Sequence, residues 1–364
     1  MKYAKIPKTN KKISKIGFGT RQLKIEKKDD ELKKLIETSL DLGINFFCTS
    51  SNYQQGKVEA KLGELLYGIR DDIIVTTSGG VTHQDGKILI DSSRATLEKS
   101  IQQSLKNLKT DYLDHYEIHF HDPLTPLEET LSYLSDLLEN DVIKSVGTSC
   151  FYSEILRKWE ALIPTNLVQV PLNPIQKTAY ESVLRTCHQL DIGILTYSPY
   201  FGGFLTKKLT EFPRDLNKMF FAPDNWQKRI FKLTHNLAEL SKETGKTISQ
   251  LILSWILTHE DLTSVLVGTN SSDHLIENES VLDHPISSSL IERIDETINS
   301  LFDQKQTDNF RSKPKFEATV ESIRINPDGK FVAIFESGLK IIVPRYYKGG
   351  TKLYLDIETG KIIN

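Results

Sequence analysis

The sequence predicts an α/β protein: a (β/α)8 TIM barrel with an N-terminal hairpin and a small C-terminal antiparallel β extension. Short apolar or β-branched runs alternate with amphipathic segments about eight times, and eight such units close a barrel. The chain has 364 residues, which is long for one domain but suits a barrel with additions. Past about residue 310 the alternation gives way to short strands separated by turn signals.

The individual elements follow from the spacing of apolar residues. Residues 4–20 have apolar positions on either side of a polar turn, which predicts a hairpin that runs into a first short strand and could close the floor of the barrel. Helices are then predicted at 29–42, 57–67 and 93–108. Further strands are predicted at 44–49, 73–77, 112–119, 142–148, 167–170, 193–198 and 263–268. With the first strand, these make one closed barrel.

The C-terminal segment reads as a separate β unit. Residues 316–325, 330–335, 339–343 and 352–357 alternate between apolar and polar side chains. We therefore predict two domains, a barrel at 1–305 and a small β-rich domain at 310–364. The second domain has ten basic and six acidic residues, which we interpret as the solvated surface of a sheet that packs on the barrel or on another subunit. It could join the subunits of a homo-oligomer.

Composition narrows the class of partner. The chain has 46 basic and 48 acidic residues and a net charge of -2, which favours neither nucleic acid nor an anionic membrane. Its three cysteines are too few and too scattered for a disulfide framework. No run approaches the ~20 apolar residues of a membrane span. We predict a cytoplasmic protein that acts on a small-molecule substrate.

Residues at strand ends are the candidates for chemistry. In a barrel of this class, reactive side chains lie at the C-terminal ends of the strands. The strand ends carry Cys48, Tyr53, Thr77, His119, Ser149 and Cys150.

Five ordered motifs resemble those of the aldo-keto reductases. The first, at residues 43–63, reads GINFFCTSSNYQQGKVEAKLG. The others are DYLDHYEIHFHDP at 111–123, VGTSCF at 146–151, GILTYSP at 193–199 and GTNSSDHLIEN at 268–278. Together they cover about residues 4–301. The resemblance implies a (β/α)8 barrel that binds a nicotinamide dinucleotide and transfers hydride to or from a small carbonyl or hydroxyl compound.

The resemblance also implies a catalytic set. The family's Asp, Tyr, Lys and His fall on Cys48, Tyr53, Thr77 and His119, so the tyrosine and histidine are kept and the charged pair is replaced. In the family the tyrosine protonates the carbonyl oxygen, the lysine lowers the pKa of the tyrosine, the aspartate holds the lysine and the histidine orients the carbonyl. A neighbouring cation lowers a pKa by roughly 1 to 3 units, so Tyr53 should be a weaker acid here. Because a lone buried charge is costly, the neutral pair of Cys48 and Thr77 indicates a coherent replacement.

The cofactor site is implied in the same way. Ser149 and Gln169 match the residues that bind the carboxamide, Cys150 replaces an asparagine, and Tyr197 matches the stacking aromatic ring. The remaining cofactor-binding residues are Ser198, Gly268, Thr269, His274, Glu277 and Asn278. Strongly cationic contacts to a 2′-phosphate are not evident, so the cofactor could be NADP or NAD.

Three functions stay open. The first is an oxidoreductase of the aldo-keto reductase type. The second is a non-redox lyase, dehydratase or isomerase in which Tyr53 and His119 move protons, and the third is a catalytically silent binding subunit, because fold alone does not fix function. Cysteine and histidine are soft-metal ligands, but Cys48, Cys150 and His119 do not have the spacing of a zinc site, so we predict no metal.

Overall fold

Eight parallel strands form a closed barrel in this structure, a computed structural model. Around the barrel they are β3 Ile16–Gly19, β4 Phe46–Cys48, β5 Ile74–Gly79, β8 His115–Ile118, β9 Val146–Ser149, β10 Leu167–Pro171, β11 Gly193–Tyr197 and β12 Leu262–Val267. The structure describes residues 1–84, 87–149, 153–206, 224–302, 315–326, 331–335, 340–343, 349–350, 352–356 and 362–363. The predicted barrel is confirmed.

Helices follow most of the strands. They are α1 Asp29–Asp41, α2 Lys57–Leu65, α3 Arg94–Leu108, α4 Leu127–Glu139, α5 Ser153–Glu160, α6 Thr178–Leu190, α7 Asp224–Thr244, α8 Ile248–Leu257, α9 Ser272–Glu279 and α10 Ser288–Phe302. None of the helices in the described part of the chain has the length and apolar character needed to cross a bilayer. Short 3-10 turns lie at Tyr53–Gly56, Arg70–Asp72 and Ser280–Leu282.

The N-terminal hairpin closes the floor of the barrel. Its strands, β1 Tyr3–Lys5 and β2 Lys12–Ser14, pair antiparallel. Ile6 and Ile13 are buried in one cluster with side chains from inside the barrel, among them Phe46 and Leu167. Asn166, the residue before β10, donates from Nδ2 to the carbonyl oxygen of Pro7 at 3.0 Å. The hairpin therefore lies at the N-terminal ends of the strands and leaves the C-terminal ends for a site.

A second hairpin, which the periodicity did not predict, lies at the opposite end. It consists of β6 Val81–Gln84 and β7 Lys87–Ile90, which pair antiparallel directly after β5. Its base is closed by a hydrogen bond from the amide of Asp91 to the carbonyl oxygen of Gly80 at 3.0 Å. The hairpin thus adds backbone beside the C-terminal end of β5.

The C-terminal strands form one antiparallel sheet. Its strands are β13 Lys315–Ile325, β14 Phe331–Phe335, β15 Lys340–Val343, β16 Lys352–Asp356 and β17 Ile362–Ile363, in the spatial order β15-β14-β13-β16-β17. This agrees with the predicted β extension. The predicted boundary between residues 305 and 310 lies outside the described residues, so the division into two domains and the subunit-joining role stay predictions.

A buried carboxyl group joins α2 to the barrel. Glu59 on α2 is fully buried and accepts hydrogen bonds from Thr77 Oγ1 on β5 at 2.5 Å and from Asn107 Nδ2 on α3 at 3.1 Å. Burial raises the pKa of Glu59, and the hydrogen bonds from Thr77, Asn107 and Ser104 offset part of that rise. The carboxyl group therefore holds three elements together.

We expect Glu59→Ala to destabilise the protein by about 2 to 4 kcal/mol, because the buried donors of Thr77 and Asn107 lose their acceptor. The raised pKa means that the folded state binds the proton of Glu59 more readily than the unfolded chain. Its contribution to stability is therefore full below the ordinary glutamate pKa and declines as the pH rises through the folded pKa. Urea unfolding at a series of pH values measures both effects.

Glu59→Gln is the control, since it keeps an acceptor for Thr77 and removes the titration. Its stability relative to the wild type should improve as the pH rises. A constant difference between the two proteins across that range would contradict the raised pKa.

Candidate active site

The two residues kept from the predicted catalytic set lie side by side at the C-terminal ends of the strands. Tyr53 begins the turn after β4 and His119 directly follows β8. Their ring centroids are 6.2 Å apart, with the planes at 76°, an edge-to-face arrangement. The backbone holds both in place, because the Tyr53 amide donates to the Ser50 carbonyl and the His119 amide donates to the Gly79 carbonyl, each at 3.0 Å.

The turn that presents Tyr53 has an unusual backbone. Gln54, Gln55 and Gly56 adopt positive φ values of 47°, 55° and 82°. Left-handed conformations at residues other than glycine are uncommon and often mark functional sites. Here the three residues reverse the chain between Tyr53 and the start of α2.

His119 is surrounded by hydroxyl groups. Its Nδ1 lies 3.2 Å from Ser50 Oγ and 3.1 Å from Ser78 Oγ. Burial, with a smaller contribution from the charge of Arg21, lowers the pKa of His119 to about 4. The imidazole is therefore neutral near pH 7.

The hydroxyl groups around Nδ1 are compatible with either tautomer of His119. Ser50 Oγ lies 3.2 Å from the carbonyl oxygen of Ser78 and donates its hydrogen there, while it accepts from the Asn52 amide. Ser78 Oγ can donate to Nδ1 or accept from it. In the tautomer with its hydrogen on Nε2, the ring can donate that hydrogen to a substrate oxygen.

Thr77 faces away from this site. Side chains alternate between the two faces of a strand, and the Thr77 hydroxyl donates to Glu59 in the helical layer. Ser78, one residue later, is the β5 side chain that reaches His119. Thr77, predicted as a member of the catalytic set, is therefore turned away from His119, and Ser78 is the β5 residue that faces it.

Cys48 lies below the site, among the side chains inside the barrel. Its side chain is buried, and Gln169 Nε2 donates to Sγ at 3.7 Å. Burial, and secondarily the charge of Glu117, raises the pKa of the thiol far above neutrality. The thiol is therefore protonated and a poor nucleophile, because the thiolate is the reactive form. Neither Cys48 nor Ser78 therefore brings a charge to this part of the barrel.

A buried histidine and glutamate, not among the predicted site residues, lie deeper on β8. His115 Nε2 is 3.5 Å from Glu117 Oε1 and both side chains are fully buried. Ser145 Oγ donates to the Asp114 carbonyl at 2.6 Å and lies 2.8 Å from His115 Nδ1, so Nδ1 carries a hydrogen. The two facing atoms form no hydrogen bond with the residues that the structure describes.

The residues predicted to bind a nicotinamide line neighbouring strand ends. Ser149 ends β9 opposite Gln169 on β10, and Tyr197 ends β11. A hydroxyl and an amide in register suit a carboxamide, which needs both donors and acceptors. Beyond β11, positive φ values at Ser198, Gly202 and Gly203 shape a loop that can turn backbone amides towards a phosphate. These residues fit the cofactor, whereas Cys150 lies outside the described residues.

Hydrogen bonds tie α9 to other parts of the chain. Glu277 Oε1 accepts from Thr247 Oγ1 at 2.6 Å, and the buried Asn278 accepts from the Tyr200 hydroxyl at 2.7 Å. At the head of the loop, Gly268 follows β12, and Thr269 Oγ1 lies 3.4 Å from His274 Nδ1. The predicted adenosine contacts therefore belong to one connected segment.

A cation that the sequence patterns did not reveal contacts the loop before α9. Lys27, which precedes α1, lies with Nζ 3.0 Å from the carbonyl oxygen of Asn270 and 3.0 Å from Glu31 Oε2. Lys27 and Asn270 are distant in sequence, and only the closed barrel brings them together. A lysine paired with Glu31 thus contacts the loop that the sequence predicts to bind the adenosine phosphate.

Comparisons with known proteins agree with this architecture. The model of the Aldo/keto reductase family matches residues 15–299. Aldo-keto reductase YhdN of Bacillus subtilis (strain 168) is 31% identical over 288 residues, covering 76% of this chain and 87% of that protein. L-glyceraldehyde 3-phosphate reductase of Escherichia coli (strain K12) is 29% identical over 274 residues, covering 69% and 79%. The solved glycerol dehydrogenase AKR11B4 from Gluconobacter oxydans superimposes with a TM-score of 0.73 at 23% identity, covering 82% and 95%.

Proposed function

Because this chain belongs to the aldo/keto reductase family, we propose that it is an NAD(P)H-dependent reductase of small, activated carbonyl compounds. Tyr53 is the proton donor and His119 orients the carbonyl. The observation that carries the proposal is the edge-to-face pair of Tyr53 and His119 at the C-terminal ends of the barrel strands, which is where barrels of this class place their catalytic groups.

Tyr53 and His119 have separate roles in the reduction of the carbonyl group. A bound nicotinamide supplies the hydride. His119 acts in the tautomer with its hydrogen on Nε2: it donates that hydrogen to the carbonyl oxygen and polarises the bond, while Nδ1 accepts from Ser78 Oγ at 3.1 Å. Tyr53 transfers its phenolic proton to the same oxygen as negative charge develops there, and the phenolate regains a proton from solvent. The product is the alcohol.

The neutral replacements limit the substrates. Neither Cys48 nor Ser78 supplies a charge that would make Tyr53 more acidic. Weak acid assistance suffices where the carbonyl is already electrophilic, as in aldehydes and 1,2-dicarbonyls, and fails for simple ketones. The relative named for L-glyceraldehyde 3-phosphate supports a small aldehyde as one substrate class.

The strand ends and the loop before α9 would hold the cofactor. Ser149 and Gln169 would bind its carboxamide, and Tyr197 would stack on the nicotinamide ring. We propose that NADPH is accepted as well as NADH, because Lys27 Nζ lies at the Asn270 carbonyl and can pair with a 2′-phosphate.

Turnover with a dicarbonyl tests the proposal. The intrinsic fluorescence of the purified protein should be quenched on addition of NADPH or NADH. The protein should then oxidise the reduced cofactor when 2,3-butanedione or phenylglyoxal is added, with one alcohol molecule formed for each cofactor molecule consumed. Acetone should be a far poorer substrate.

The alternatives give different results in the same experiment. Consumption of substrate without oxidation of the cofactor would support the non-redox enzyme. Cofactor binding with no turnover of any carbonyl would support the silent binding subunit, which the loss of the charged pair makes a coherent second candidate.

A further inference from the structure

The loop that follows β3 is fixed at the mouth of the barrel. Thr20 is fully buried, and its amide and Oγ1 both donate to the carbonyl oxygen of Cys48, at 2.9 and 3.0 Å. On its other side, Asn270 donates from Nδ2 to the Gln22 carbonyl and accepts from the Lys24 amide, each at 2.8 Å. Arg21 is therefore carried on a short segment clamped between the end of β4 and the loop after β12.

Arg21 brings an uncompensated charge to this place. Its side chain is exposed, and with the residues that the structure describes it forms no hydrogen bond or ion pair. Its charge acts on His119, where it lowers the pKa in addition to burial. The side chains recorded in contact with His119, which are Ser50, Ser78 and the rings of Tyr53 and Phe120, carry no charge at neutral pH.

The place of this guanidinium in the fold has a chemical consequence. Most exposed arginines are only solvated, but Arg21 directly follows the buried Thr20, which is bonded to the end of β4, and therefore lies at the same end of the barrel as Tyr53 and His119. The planar guanidinium presents paired N–H donors that match the two oxygens of a carboxylate or a phosphate. Binding such an anion would also relieve the repulsion between Arg21 and a polarised His119.

We propose that Arg21 binds an anionic group of the substrate, so that the preferred substrates are small carbonyl compounds that carry a carboxylate or a phosphate close to the reacting carbonyl. The inference rests on the reductase function proposed above and narrows its substrate class.

A matched pair of substrates measures the preference. Glyoxylate and methyl glyoxylate both react at an aldehyde and differ in charge. The aldehyde of the methyl ester is intrinsically the more electrophilic of the two. We expect wild-type kcat/KM to favour glyoxylate by about tenfold or more, as for a charge-assisted hydrogen bond. D-Glyceraldehyde 3-phosphate compared with glyceraldehyde tests the phosphate in the same way, and the larger ratio identifies the anion.

Variants at position 21 assign the preference to the guanidinium. Arg21→Gln should abolish the advantage of the anionic substrates and leave the methyl ester unaffected, whereas Arg21→Lys should keep part of it. Lys24→Gln is the matched control, since Lys24 is an exposed cation on the same segment. An unchanged glyoxylate preference in Arg21→Gln would overturn the proposal.

A second measurement does not depend on turnover. The pKa of His119 can be followed by NMR with labelled histidine, and His119→Gln identifies its signal. Arg21→Gln should raise this pKa, and oxalate, an unreactive dianion, should raise it in the wild type but not in Arg21→Gln. If oxalate raised the pKa of His119 and no carbonyl compound were reduced, the anion site would be supported and the reductase function would be wrong. If neutral dicarbonyls were reduced and neither oxalate nor Arg21→Gln changed this pKa, the reductase function would be supported and the anion site would be wrong.

Discussion

Tyr53→Phe should lower kcat/KM for carbonyl reduction by about 10²- to 10⁴-fold, the contribution of a positioned general acid. The phenylalanine ring can keep the edge-to-face contact with His119, whose centroid lies 6.2 Å away, so the change removes the hydroxyl and its proton and keeps the ring. Steady-state oxidation of NADPH with phenylglyoxal measures the loss. Cofactor affinity, measured by fluorescence quenching, should not change.

Two controls separate proton donation from structure. The unfolding midpoint of Tyr53→Phe, measured beside that of the wild type, shows whether any of the lost activity reflects lost stability. Cys187→Ala changes a buried residue of α6 and should leave kcat/KM unchanged. Retention of full activity in Tyr53→Phe would mean that another group donates the proton, and the proposed mechanism would fail.

Much of the fold was predictable because the alternation of apolar and amphipathic segments is strong. The eight predicted strands agree with the closed barrel, and the apolar positions Ile6 and Ile13 predicted the hairpin at its floor. The hairpin at Val81–Gln84 and Lys87–Ile90 was missed. Its strands are short and follow β5 directly, so the periodicity offered no separate signal for it.

The register of β5 illustrates why the site was harder to predict than the fold. Every residue of Ile74–Gly79 is buried, because the inner face lines the barrel and the outer face packs on helices. In such a strand the alternation between apolar and polar side chains disappears. Thr76, Thr77 and Ser78 have similar polarity, so the sequence alone could not show which of them faces the site.

Other site residues depend on contacts between distant parts of the chain. Arg21 and Lys27 acquire their positions through Asn270, roughly 250 residues later, and no local pattern reports that contact. His115 and Glu117 did leave a signal in the sequence, because these two polar residues alternate with the apolar residues of β8, the strand that His119 directly follows. Polar side chains at alternate positions of a buried strand are a feature to weigh in related sequences.

The double substitution Cys48→Asp/Ser78→Lys should raise kcat/KM for simple carbonyl compounds by about tenfold or more. A lysine at position 78 starts from the side chain that now contacts His119, and a neighbouring cation lowers a pKa by roughly 1 to 3 units. The aspartate at position 48 would pair with the lysine and reduce the cost of burying it. The gain should be largest for substrates with unactivated carbonyls, and the pH profile should shift as Tyr53 becomes more acidic.

The control for this gain is Cys48→Asp/Thr77→Lys, which places the same charges one residue out of register. Because Thr77 donates to Glu59 in the helical layer, a lysine there would pair with that carboxylate and would not reach Tyr53. Each single substitution should be less stable than the double variant, since Ser78→Lys leaves a cation without its partner and Cys48→Asp adds a carboxylate near Glu117. If kcat/KM rose in the Thr77 variant and not in the Ser78 variant, β5 would present Thr77 to the site. The assignment of Ser78 as the residue that faces Tyr53 and His119 would then be wrong.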